Sequence, residues 1–140
     1  METECGGLRR WNEEGWRVDQ AAPITECPSD TLIDVIEKMA RYEVGALVVV
    51  KPSEGGKPVA VISKRDVVKA LAMRMPLSTP VEAFMSNRLI SIWPDEDVVK
   101  AADLMINHDI RHLVVVNPDG FLLGMVSIGD VLRELRTHVK

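Results

Sequence analysis

The chain of 140 residues carries 17 Lys and Arg against 21 Asp and Glu, a formal charge of −4, and is 46% hydrophobic. That balance fits an ordinary soluble globular protein and offers no general field for nucleic acid or an anionic membrane; three Trp, two Phe and one Tyr leave little for base stacking. No apolar stretch approaches the ~20 residues of a membrane helix, no signal-peptide pattern opens the chain, and Cys5 and Cys27 lack metal-ligand spacing, so the cytosol (a cytoplasmic protein) is the expectation. Residues 1–21 read as an N-terminal arm without period, in which Trp11 and Trp16 are available to anchor on the body or on a second subunit.

Ile24, Thr25 and Glu26 form a short strand candidate before Pro28. Ser29 is expected to cap a helix with Asp30 in its first turn, where the helix dipole favours an anion. Leu32, Val35, Ile36 and Met39 fall at i, i+3, i+4 and i+7, which predicts an amphipathic helix to about Tyr42, broken by Gly45. Residues 46–50 are a continuous apolar run of strand length, so both faces should be covered. A loose hairpin turn at 51–57 leads to a partner strand at 59–62, and Val67, Val68 and Leu71 mark a second helix. Two prolines within 75–80 suggest a linker, placed at 76–85 between a first repeat at 22–75 and a second at 86–140. Val81, Phe84 and Met85 make a helical turn into the second copy. There, residues 89–92 are a strand, and Asp95 is expected to cap a helix carrying Val98, Ala102, Met105 and Ile106. Residues 113–116 and 122–126 form a hairpin around Asn117-Pro118-Asp119-Gly120, a tighter turn than the first copy's. A last helix runs from Ile128 to about Thr137, with Val131, Leu132 and Leu135 on one face.

The two halves are copies. Pro28 and Pro94, Met39 and Met105, and Pro52 and Pro118 all stand 66 residues apart. Each copy then closes on Ser-x-x-Asp, Ser63 to Asp66 and Ser127 to Asp130, with an offset of 64 because the first hairpin turn is two residues longer. The unit is β-α-β-β-α, a mixed α/β fold, and a tandem repeat of it predicts two similar halves about a pseudo-two-fold axis with a cleft between them.

The closing segments Ala60-Val61-Ile62-Ser63-Lys64-Arg65-Asp66 and Gly124-Met125-Val126-Ser127-Ile128-Gly129-Asp130 carry a resemblance. So do Glu43-Val44-Gly45-Ala46 and Asp109-Ile110-Arg111-His112, which lead into strands. In this β-α-β-β-α frame the chain resembles a tandem pair of CBS domains, a Bateman module, over about residues 22–139, and looks like a stand-alone pair. The resemblance implies two repeats packed through their sheets and an adenosine-containing ligand between them. That ligand would be AMP, ADP or ATP, sometimes S-adenosylmethionine, bound to regulate a partner protein. It implies that Asp66 and Asp130 hold ribose hydroxyls and that Ser63 and Ser127 lie near phosphate. It further implies that backbone at Ile24, Thr25, Val44, Gly45 and Ala46, and at Ile90, Ser91, Ile110, Arg111 and His112, borders the adenine.

These residue types suit that chemistry. An ionised carboxylate accepts two hydrogen bonds from a vicinal diol, and a helix start attracts phosphate. A basic group is needed to complete the phosphate site. Arg111 and His112 are expected to reach across the cleft to the site on Ser63 and Asp66, whereas Gly45 and Ala46 face the site on Ser127 and Asp130. One good nucleotide site is therefore expected, with Lys64 and Arg65 as further basic candidates beside it. His112 is expected to be partly charged near neutral pH. Each Ser-x-x-Asp is also readable as a capping box, and Arg111-His112 as an exposed strand entry, but within the repeat frame ligand contact is the favoured reading. No nucleophile motif, P-loop or zinc ligand set is present, so no enzymatic activity is expected. The faces Val67-Val68-Leu71 and Val131-Leu132-Leu135 suggest a homodimer. A structural interaction module without nucleotide is the rival from a different class, and an S-adenosylmethionine sensor the third reading.

Overall fold

The computed structural model describes residues 25–85 and 89–138. The N-terminal arm with Trp11 and Trp16, and Ile24, lie outside the described residues. Two compact units meet at Leu89–Ile90. The first contains β1 (Thr25–Glu26), α1 (Leu32–Tyr42), β2 (Ala46–Lys51), β3 (Lys57–Ser63) and α2 (Lys64–Ala72). The second contains β4 (Ser91–Ile92), α3 (Val98–His108), β5 (His112–Val116), β6 (Leu122–Ser127) and α4 (Ile128–His138). Each unit is thus the expected β-α-β-β-α.

Each unit has one three-stranded sheet with its second strand in the centre, parallel to the first and antiparallel to the third. The duplication extends to the register. Thr25 pairs with Val48 and Ser91 with Val114, and the antiparallel ladder shifts between Val49 and Val50 in one unit and between Val115 and Val116 in the other. Both central strands are buried on both faces, as their unbroken apolar runs require, while β3 and β6 alternate buried and half-buried positions. Two separate cores result. Leu32, Val35 and Met39 of α1 pack on Leu47, Val49, Ala60 and Ile62. Val98, Ala101 and Met105 of α3 pack on Leu113, Val115 and Val126.

The helix starts differ from expectation. Thr31, not Ser29, caps α1, and its partner is Asp34 in a reciprocal capping box. Asp30 instead closes the preceding turn, its carboxylate accepting from the Cys27 N–H at 2.8 Å. In the second unit Asp97, not Asp95, caps α3 by accepting from the Lys100 N–H at 2.9 Å. The first helix ends at Tyr42 as expected, but the residue that turns the chain is not Gly45: Glu43 takes the left-handed conformation at φ 54°, as Asp109 does at φ 53° after α3.

The stretch expected as a linker is anchored on the first unit. Val81 is fully buried in that core, Leu32 and Ile33 donate to Thr79 and Leu77 carbonyls, and Val81 donates to the Asp30 carbonyl at 2.7 Å. The prolines terminate regular structure there, but Val81 still supplies apolar surface that the α1 end of the core takes up.

Candidate functional site

The residues singled out in sequence converge within each unit on one edge of the sheet, where the third strand hands over to the closing helix. In the first unit Ala46 stands opposite Ser63 on the β2–β3 ladder, and the Lys64 N–H, first of α2, donates to the Gly45 carbonyl at 3.0 Å. In the second, His112 stands opposite Ser127, and the Ile128 N–H donates to the Arg111 carbonyl at 2.9 Å. The segment entering the central strand is therefore tied to the helix start that carries Ser-x-x-Asp. Thr25 lies next to Val48, two residues further along β2, and Ser91 next to Val114 on β5. Val44, Ile90 and Ile110 are half-buried and pack against their own cores.

Both serine–aspartate pairs form capping boxes. Asp66 Oδ2 accepts from the Ser63 N–H at 2.8 Å and from its hydroxyl at 3.1 Å, and the Asp66 N–H donates to Ser63 Oγ at 3.4 Å. Asp130 Oδ2 accepts from the Ser127 N–H and hydroxyl at 2.8 and 3.1 Å, with a return bond of 3.2 Å. The helix-capping reading is therefore realised in both units, and it occupies one carboxylate oxygen of each aspartate.

The second oxygen separates them. Asp66 Oδ1 has no partner among the described residues, and the residue is half-buried. Asp130 Oδ1 accepts from Arg133 Nη2, and the Asp130 side chain is only 1% exposed. Arg133 is the residue that reading the sequence missed. The signal was available, since an acidic and a basic side chain three apart on a helix are neighbours.

The basic candidates are distributed unevenly. Lys64, Arg65 and Arg111 are exposed. Lys64 also lines a cavity of about 560 Å³ between α1 and α2, together with Ile36, Met39, Ala40, Glu43, Val67 and Val68. His112 is half-buried, and burial holds its imidazole below the ordinary 6.5; Arg111 adds to that shift and Asp130 opposes it. At neutral pH His112 is therefore neutral, a correction to the partly charged state expected. Its charged neighbour is Asp130 of its own unit. Among the described residues no group of His, Cys, Asp and Glu could hold a metal ion, and no helix is long and apolar enough to cross a membrane.

Two copies of one α/β unit, each with a capped carboxylate at the start of its last helix, define a tandem-repeat α/β module. A family model, the CBS domain, matches residues 18–73 and 81–137, and the chain belongs to that family. It is 41% identical over 108 residues to the CBS domain-containing protein CBSX3, mitochondrial, of Arabidopsis thaliana, covering 74% of this chain and 52% of that protein. The first three curated relatives are covered over 52%, 64% and 56% of their length. Among solved structures it is similar to CBS domain protein PAE2072 from Pyrobaculum aerophilum complexed with AMP. The match has 35% identity and a TM-score of 0.76 over 84% of this chain and 94% of that one. It is also similar to the CBS domain pair of protein MJ0100 in complex with 5′-methylthioadenosine and S-adenosyl-L-methionine, at 26% identity and a TM-score of 0.74. That match covers 81% and 92% of the two chains.

Proposed function

We propose that this chain is a regulatory module that binds an adenine nucleotide, AMP in the first instance, at Ser63–Asp66, and passes the binding event to a partner protein. The observation that carries this reading is Asp66 Oδ1, without a partner among the described residues after the capping box has used Oδ2. A ribose diol needs one carboxylate oxygen within reach, and Asp66 offers it without breaking the helix cap. The AMP complex of PAE2072 supports the ligand class, and adenosine is the part that AMP, methylthioadenosine and S-adenosylmethionine share.

In this reading Thr25, Val44, Gly45 and Ala46 border the base, and Ser63 and the α2 start take the phosphate. Binding regulates only if the two packing arrangements differ in affinity. Regulation rather than catalysis is the role proposed, in the cytoplasm or the compartment of the regulated partner. The exposed apolar residues Val68 and Leu71 of α2 and Leu132 of α4 are proposed as a homodimer surface.

The test is ligand-induced stabilisation. AMP at about 100 times its dissociation constant should raise the unfolding free energy by about 2.7 kcal/mol. An unchanged melting profile with AMP, ADP, ATP and S-adenosylmethionine would transfer the function to a nucleotide-free interaction module.

A further inference from the structure

We infer that Arg133 is the residue that decides how many ligands the chain takes: it closes the Ser127–Asp130 position and leaves Ser63–Asp66 as the one open site. The inference rests on the nucleotide-binding reading above and adds to it the cause of the asymmetry. Both aspartates begin with the same capping box, so the box itself does not distinguish them. What differs is the residue three positions on. Arg133 donates through Nη2 to Asp130 Oδ1, the only carboxylate oxygen the box leaves over. Lys69, its counterpart in α2, is exposed and makes no ion pair among the described residues.

A second exchange accompanies the first. The guanidinium passes close to Gly129: a Cβ placed there would be in ordinary van der Waals contact with Arg133 Nη1 at 3.6 Å and with Ser127 Oγ at 3.5 Å. The counterpart of Gly129 is Arg65, whose side chain is exposed. The second repeat thus folds a cation back onto its own carboxylate, and Lys69 at the same position of the first does not do so. With its side chain 1% exposed and the guanidinium on Oδ1, Asp130 is closed to a diol until the guanidinium leaves. A site that binds only after a competing arrangement opens loses apparent affinity by the fraction that is open. For a charge-assisted hydrogen bond that is a weakening of about tenfold to a hundredfold. Arg133 is a specificity-determining residue in this sense, acting through Asp130.

The experiment is a calorimetric titration of AMP into the full chain, with stoichiometry as the readout, for the wild type, Arg133→Gln, Asp66→Asn and the double variant. The expected result is one AMP per wild-type chain, two per Arg133→Gln chain, none for Asp66→Asn and one for the double variant. Two AMP per wild-type chain, or one for Arg133→Gln, would overturn the inference while leaving the nucleotide reading intact. No binding to any of the four would overturn both. No binding to wild type with one site gained in Arg133→Gln would uphold the gate and refute the assignment to Asp66. Arg133→Lys, which keeps a cation at the position but not the guanidinium fork, covers the case in which Arg133→Gln fails to fold. It should give a second site weaker than the first, and a stoichiometry fixed at one would again refute the inference.

Discussion

The two repeats share strand order, register, the displaced bulge in the central ladder and the capping box at the closing helix, yet their chemistry at that helix differs. In the first, the aspartate keeps an oxygen without a partner among the described residues; in the second, Arg133 donates to the corresponding oxygen. Duplication preserves what the fold needs, and the two copies diverge at positions that the cap and the sheet do not fix.

The comparison breaks most visibly in the cores. Leu47 and Leu113 are equivalent, fully buried and central. Truncation of either to Ala should cost about 2–5 kcal/mol, read as a fall in denaturant midpoint. Similar losses for both variants would fit equivalent cores, whereas a near-neutral Leu113→Ala would contradict the packing described for the second.

The next largest effect should fall on the helix cations. Arg133→Gln leaves the buried Asp130 carboxylate short of one partner and should cost about 1–3 kcal/mol, while Lys69→Gln should stay within about 0.5 kcal/mol. Equal effects in chemical denaturation would erase the asymmetry. Smaller still, Ser63→Ala and Ser127→Ala should each lose about 1 kcal/mol as N-cap removals, with Thr31→Ala close behind. Their unfolding midpoints are the check.

The smallest effect is on pH. Burial depresses His112, so between the lowered folded value and 6.5 the unfolded chain binds the extra proton. Stability is therefore full above 6.5 and falls as pH drops below it, with a limiting slope of about 1.4 kcal/mol per pH unit for one proton. Thermal melts at descending pH should show this fall, and His112→Gln should flatten it.

Much of this architecture is legible in the sequence because the second copy acts as a check on the first. The constant offset of 66 from Pro28 to Pro52 aligns helix with helix, and the unbroken run at 46–50 can only be a strand covered on both faces. The caps were misplaced because Pro28-Ser29-Asp30 and Pro94-Asp95-Glu96 have the composition of a helix start. The competing Thr31-x-x-Asp34 is the same signature three residues later, and the extra turn between them is a tertiary choice. The apolar period places the end of α1 at Tyr42, but the nearby Gly45 points to the wrong breaking residue, because Glu43 accepts the left-handed conformation itself. Val81 looked like linker because flanking prolines mark breaks in regular structure and say nothing of burial. At the site, the serines and aspartates were readable from their recurrence. The state of their oxygens was not, because it depends on where a guanidinium four bonds beyond the backbone comes to rest.

The most direct test of the central claim is a calorimetric titration of AMP, ADP, ATP and S-adenosylmethionine into the wild type and into Asp66→Ala. The account predicts that at least one adenine nucleotide binds the wild type with a dissociation constant of about micromolar order, near −8 kcal/mol, and that the variant, still folded by its melting transition, loses it. Unaltered binding in Asp66→Ala, or no heat with any of the four ligands, would contradict it.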